Sequence, residues 1–107
     1  MKQDMLTLQE LYKFICSKEG ITMKSLRFCR VGRGGAKCTY KGQRVYSISI
    51  DLTAICIGAA YALCHEVAHQ ILIEKDGNAT HNRAFKKEEQ RLIKAYATCK
   101  IANKLIF

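Results

Sequence analysis

Hydrophobic residues are densest between positions 54 and 73, where polar residues are too few to form a solvent-facing side. A helix that is apolar on all sides is normally buried in a protein core. The pattern therefore predicts a buried helix over about residues 53–75. Residues 76–78, Asp-Gly-Asn, follow directly and form a clear turn signal.

A first amphipathic helix is predicted over about residues 7–19. Thr7 and Glu10 have the spacing of a capping box, and Leu6 and Leu11 fall at the positions of a hydrophobic staple. The apolar residues within this segment recur at helical spacing, so we expect one side to pack inward.

A last helix is predicted over about residues 82–104, with Thr80 as its N-cap. Its apolar residues recur on one side of the helix, and lysines and arginines occupy most other positions. This apolar stripe consists of Phe85, Leu92, Tyr96, Cys99 and Ile106.

Three strands are predicted between the first two helices, over residues 26–31, 36–40 and 44–50. The intervening glycine-containing turns favour an antiparallel meander. In the third strand, Tyr46, Ile48 and Ile50 should share one face. Pairing of the first two strands across their turn would bring Cys29 opposite Cys38, most simply as a reduced pair.

The predicted fold is α+β: an N-terminal helix, an antiparallel three-stranded sheet, a buried metal-binding helix and a C-terminal helix. The length of 107 residues fits a single domain covering 1–107, for which we expect a monomer. No run of residues is long and apolar enough for a membrane span, and no signal core is evident near the N-terminus. The six cysteines form no C-x-x-C pair, so we expect a reduced, cytoplasmic protein.

The formal net charge of +9 is large for this length. Such a balance favours association with nucleic acid or another polyanion. A merely well-solvated surface explains the charge equally well, because no motif for reading nucleic-acid sequence accompanies it. Non-specific binding of nucleic acid through a basic surface is therefore one of two open interpretations.

The buried helix contains the motif His65-Glu66-Val67-Ala68-His69, a known zinc-hydrolase signature. Residues four apart share one helix face, so His65 and His69 can direct two ring nitrogens at one ion. Glu66 is rotated away from such an ion but can still reach a water beside it. The alternative is a pair of core histidines satisfied by hydrogen bonds. Cys64 diverges from His65 by about 100° on a helix, so we expect it to pack in the core.

His81 is the predicted third ligand, because the turn at residues 76–78 can return the chain to the first two histidines. Three protein ligands would leave a fourth position for water, as in catalytic zinc sites. Glu89 is the alternative third ligand, since it lies twenty residues after His69. It could instead be an exposed charge or a partner that orients a ligand imidazole.

At these positions the sequence resembles the SprT-like family of zinc metallopeptidases, a branch of the zincins. The similarity lies in the His65–His69 motif and in His81 with Phe85 four residues later, and it extends over about residues 26–92. It implies that His65, His69 and His81 hold zinc and that Glu66 is the general base. Some members of the family act on proteins crosslinked to DNA, which the charge of +9 would suit.

Three functions follow as hypotheses. The first is a zinc-dependent peptidase, in which Arg83 or Tyr96 could stabilise the oxyanion and a strand edge could hold an extended peptide substrate. The second is a basic binding module for nucleic acid or protein that retains zinc for stability alone. The third is a zinc hydrolase of another carbonyl compound, such as an amidase, because the same chemistry serves many substrates.

Overall fold

The computed structural model describes residues 2–29, 36–52 and 58–105, and it confirms the α+β class. Three helices and a three-stranded sheet make up the described chain. In chain order they are α1 (Lys2–Glu19), β1 (Ser25–Cys29), β2 (Ala36–Lys41), β3 (Arg44–Asp51), α2 (Ala59–Asp76) and α3 (Arg83–Tyr96), followed by a short 3-10 helix at Ala102–Lys104.

The sheet has the order β1-β3-β2, so the predicted antiparallel meander is wrong. Strand β3 pairs in parallel with β1 and antiparallel with β2. The most buried strand takes the centre, where Ile48 and Ile50 are fully buried. The predicted juxtaposition of Cys29 and Cys38 is also wrong, because Cys29 is in register with Asp51 and Cys38 with Ile48.

A β-bulge interrupts the pairing of β2 with β3. Thr39 pairs with Ser47 and Tyr40 with Val45, which leaves Tyr46 as an extra residue in β3. Val45 is buried, whereas Tyr46 is 48% exposed. The prediction that Tyr46 shares a face with the buried isoleucines is therefore wrong, because the extra residue shifts the alternation of side chains.

Helix α1 begins at Lys2, well before the predicted start. Thr7 lies within the helix and is buried, so the predicted capping box is wrong. Leu6 is largely exposed, which excludes the hydrophobic staple. The predicted inward side is confirmed, because α1 contributes four fully buried residues to the core: Leu8, Leu11, Tyr12 and Ile15.

Helix α2 is the buried helix that the hydrophobic pattern predicts, and it packs against α3, β2, β3 and α1. The described helix begins at Ala59, and residues 53–57 of the predicted helix lie outside the described part of the chain. The predicted turn is confirmed at its end. Gly77 adopts the left-handed φ of 77° and donates its N–H to the Ile73 carbonyl at 2.8 Å.

Helix α3 ends at Tyr96, so its predicted extension to residue 104 is wrong. Its N-cap is Asn82, whose side-chain oxygen accepts the Phe85 N–H at 3.0 Å. Thr80 instead donates its hydroxyl to the side chain of Asn78 at 2.8 Å and takes no capping role. The prediction of Thr80 as the N-cap of α3 is therefore wrong, because Asn82 in the same short loop takes that role.

A buried polar network joins α1 to α2. The Tyr12 hydroxyl donates to Gln70 Oε1 at 2.6 Å and accepts the backbone N–H of Lys24 at 3.0 Å. The Gln70 side-chain amide donates to the Thr22 carbonyl at 2.7 Å. Gln70 directly follows His69, so this network fixes α2 against α1 beside the histidine motif.

We expect Tyr12→Phe to lower the free energy of unfolding by about 1–3 kcal/mol, because it leaves buried polar groups without their partner. Urea denaturation of the mutant and wild type measures the loss. Tyr61→Phe is the matched control, since Tyr61 is 40% exposed and its change should cost about 0.5 kcal/mol or less. Equal losses in the two variants would contradict a stabilising role for the network.

Candidate metal centre

The three histidines of the chain converge on one point. His81 Nε2 lies 3.1 Å from His69 Nε2 and 3.3 Å from His65 Nε2. The potential ligand atoms of all three side chains lie within 4.8 Å of one another. His65 and His69 project from consecutive turns of α2, and His81 comes from the loop before α3. This group could hold a metal ion.

The distances between the ring nitrogens suit a tetrahedral ion. Nitrogens bound at about 2.0–2.1 Å around a tetrahedral zinc lie about 3.3–3.4 Å from each other. The observed separations of 3.1 and 3.3 Å are close to these values. His81 Nε2 is close to both His65 Nε2 and His69 Nε2, but a single N–H can form a good hydrogen bond within only one of these two pairs. Hydrogen bonding alone therefore does not explain why the three rings meet.

The imidazole of His69 is suited to metal binding because it favours the neutral form. The pKa of His69 is lowered to about 4, chiefly by burial and in addition by the neighbouring rings of His65 and His81, whereas Glu89 opposes the shift. A neutral imidazole keeps a lone pair on one nitrogen, which is the form that binds metals.

Glu89 lies behind His65. Its carboxylate is 2.5 Å from His65 Nδ1, the ring nitrogen on the far side from His81. With Nδ1 as the donor, Nε2 carries the lone pair and faces the other two rings. Of the roles open to Glu89, the geometry matches the partner that orients a ligand imidazole.

Removal of this partner should weaken metal binding without abolishing it. We expect Glu89→Ala to lower zinc affinity by about 10–100-fold, the usual cost of losing such a carboxylate, with one ion still bound. Competition with a chromophoric chelator measures the change. Glu88→Ala is the adjacent control, because Glu88 pairs with Arg91 instead of a histidine. Unchanged affinity in Glu89→Ala would contradict the orienting role.

The ring of Phe85 packs against all three imidazole rings. Its ring stacks on His69 at a centroid distance of 4.3 Å and contacts His65 and His81 at 4.9 and 5.0 Å. Phe85 is itself buried in the core. One rigid side chain therefore restricts the orientation of every imidazole in the group.

Glu66 is buried next to the histidines, with Oε2 at 3.9 Å from His65 Nε2. The pKa of Glu66 is raised to about 7, chiefly by burial, while His65 opposes the shift and Glu89 adds a smaller upward contribution. A carboxyl group with a pKa near neutrality can both accept and release a proton under physiological conditions. This makes Glu66 suitable for general acid–base chemistry.

A cavity of about 210 Å³ opens beside the three rings, between α2 and the edge strand β2. It is lined by Ala36, Lys37, Cys38, Tyr40, His65, Glu66, His69, Ile73, Ala79 and His81. The antiparallel meander predicted from the sequence places β2 in the centre of the sheet, so the contribution of β2 to this wall is seen only in the structure. Burial raises the pKa of Cys38 to about 12, so its thiol stays protonated and forms a neutral part of the wall.

Three other residues have roles outside the cavity lining. Cys64 is fully buried and its thiol donates to the Leu92 carbonyl at 3.7 Å, as expected for a packing residue. Tyr96 donates its hydroxyl to Glu19 at 2.6 Å, and Arg83 begins α3. Neither Arg83 nor Tyr96 lines the cavity, so the structure does not bring the two suggested oxyanion donors to the site.

Comparison with protein-family models, with curated proteins and with solved structures finds no match to this chain. Within residues 2–29, 36–52 and 58–105, no helix has the length and apolar character needed to cross a membrane. The arguments about function therefore depend on the geometry of the site.

Proposed function

We propose that this protein is a zinc-dependent hydrolase of peptide bonds, of the type found in SprT-like metallopeptidases. The observation that carries the proposal is the convergence of three imidazoles with a buried carboxylate beside them. The order His65, Glu66, His69, His81 and Phe85 along the chain supports the same assignment.

His65, His69 and His81 would hold the ion, leaving one coordination position open. When bound, zinc supplies a Lewis acid and lowers the pKa of water to about 7. Within this arrangement, Glu89 keeps His65 in the tautomer that presents Nε2, and Phe85 holds the rings in place. Imidazole nitrogens are suitable ligands for zinc, as they are for copper, iron and nickel.

Glu66 would move the protons of the reaction. It accepts a proton from the attacking water and then donates it to the departing amine. Its burial serves this role, because a carboxylate shielded from bulk water has a pKa closer to neutrality. The neighbouring His65 limits how far that pKa rises.

Strand β2 would orient the substrate. It lies at an edge of the sheet and borders the cavity next to the histidines. An extended peptide can add to such an edge through main-chain hydrogen bonds. At about 210 Å³, the cavity is smaller than typical small-molecule sites of about 300–1000 Å³, which favours one substrate side chain over a whole cofactor.

Removal and return of the ion tests the proposal. We expect chelated protein to lose hydrolysis of unfolded casein and of a fluorogenic peptide library, and stoichiometric zinc to restore it. Circular dichroism of the chelated protein, which separates loss of the ion from loss of the fold, should show the helices retained. If zinc-loaded wild type hydrolyses neither substrate, the proposed function is wrong.

A zinc-stabilised binding module without catalysis is the second candidate. The excess of positive charge favours it, since this charge has no role in peptide hydrolysis. Under this alternative, chelation would unfold the domain, and zinc would restore folding without any hydrolytic activity.

A further inference from the structure

The two faces of the sheet differ in what covers them. One face packs against the helices through Phe28, Ile48 and Ile50. The register and the alternation of side chains place eleven residues on the other face, which we call the open face. These are Ser25, Arg27 and Cys29 of β1, Lys37, Thr39 and Lys41 of β2, and Arg44, Tyr46, Ser47, Ser49 and Asp51 of β3.

Positive charge dominates the open face. Arg27 and Lys37 flank Ser49 across the three strands, and Lys41 pairs with Arg44. All four of these cationic residues are exposed. Among the described residues of this face, no acidic side chain is exposed, because Asp51 at the end of β3 is buried. The exposed charged side chains of the open face are therefore all cationic, and this part of the surface favours anions.

An aromatic ring lies next to these charges. The bulge in β3 turns Tyr46 outward, where it is 48% exposed. The Arg44 guanidinium lies 5.2 Å from the centre of its ring. Ser25 and Thr39 are exposed at neighbouring positions and can donate hydrogen bonds to phosphate oxygens, whereas Ser47 between them is buried. Cationic side chains, hydroxyl groups and an exposed aromatic ring are thus all present on the open face.

We propose that the open face binds single-stranded nucleic acid, with its lysines and arginines on the phosphates and a base stacked on Tyr46. Basic surfaces bind nucleic acid chiefly through phosphate neutralisation and counterion release. Exposed aromatic rings add base stacking that does not depend on sequence. An anionic membrane is the less suitable partner, because the face offers one amphipathic ring and no aliphatic side chains to insert among lipids. This inference is independent of the proposed hydrolysis.

Two variants with the same total charge change test the proposal. Binding is measured by fluorescence anisotropy with labelled single strands of about 20 nucleotides, one of oligothymidine DNA and one of oligouridine RNA. The sheet variant carries Arg27→Gln, Lys37→Gln and Lys41→Gln. The helix variant carries Lys86→Gln, Lys87→Gln and Lys94→Gln, three exposed positions of α3 with the same total charge change. Circular dichroism establishes that each variant is folded, and Lys37→Gln alone replaces the sheet variant if it is not.

Loss of three phosphate contacts should reduce the dependence of log K on log salt concentration by about 2, or by about 0.7 for Lys37→Gln alone. The same slope predicts about 100-fold weaker binding by the sheet variant near 0.1 M salt. The helix variant should stay close to wild type with DNA or RNA. Equal weakening in both variants would overturn the proposal, because net charge alone would then explain binding.

The stacking contact has its own pair of variants. We expect Tyr46→Ala to weaken single-strand binding about fivefold or more. Tyr61→Ala, which removes a similarly exposed ring from α2, should leave binding unchanged. Tighter binding to a duplex of the same length, or binding to phosphatidylserine vesicles without binding to either oligonucleotide, would also overturn the proposal.

Discussion

Glu66→Gln should lower the rate of peptide hydrolysis by about 10²–10⁴-fold, the usual contribution of a positioned general acid–base. The amide has nearly the same shape as the carboxylate but cannot accept the proton of the attacking water. Zinc content should remain at one ion, since the three imidazoles are unchanged. Peptidase assays and metal analysis on the same preparation measure both quantities.

Glu74→Gln is the matched control for this variant. Glu74 lies two turns further along α2, where it accepts the Val45 N–H at 3.1 Å and pairs with Lys24 at 3.0 Å. Its replacement changes the same charge on the same helix and should leave hydrolysis near the wild-type rate. Glu66→Gln protein that keeps more than about a tenth of the wild-type rate would contradict the general-base assignment.

His81→Ala should lower zinc affinity by more than the 10–100-fold expected for Glu89→Ala, because a direct ligand is lost. His81 is the exposed member of the group and belongs to a loop outside the core, so the fold should survive its removal. Chelator competition measures the affinity, and urea denaturation of the metal-free protein checks the fold.

Thr80→Ala is the control for His81→Ala, since it alters the same loop at an exposed position without removing an imidazole. Wild-type zinc affinity in His81→Ala would show that the ion does not use this ring. Such a result together with complete loss of binding in Glu89→Ala would assign the third ligand to Glu89 instead.

The arrangement of the histidines was predictable because it depends on local geometry. The spacing of His65 and His69 fixes their relation on any helix, and the apolar run around them predicts burial. The Asp-Gly-Asn turn then limits where His81 can go. The role of Glu89 needed the structure, because two side chains separated by twenty-four residues must meet across two packed helices.

The sheet could not be derived in the same way. Strand order depends on pairing between distant segments, and the sequence favoured the simplest hairpin order. The observed order β1-β3-β2 places β2 at an edge of the sheet, where it borders the histidines, whereas the predicted meander would place β2 in the centre. The extra residue at Tyr46 also escaped prediction, because alternation of hydrophobic residues assumes an uninterrupted strand.

Helix ends were predicted poorly for a related reason. Thr7 and Thr80 both have side chains that can cap a helix. However, α1 begins at Lys2, before Thr7, and α3 is capped by Asn82 and not by Thr80. Several polar residues near a helix start compete for the same role, and only the course of the chain decides between them.

The left-handed turn at Gly77 links the position of His81 to a distant hairpin. A side chain there would be strained by the φ of 77°, and its Cβ would come within 3.3 Å of the Gln43 side chain in the β2–β3 connection. That connection and the histidine-bearing loop therefore abut each other. Lengthening the hairpin by inserted residues would push on the loop and displace the His81 imidazole from the other two rings. The length of the hairpin is thus coupled, through this one glycine, to the convergence of the three imidazoles.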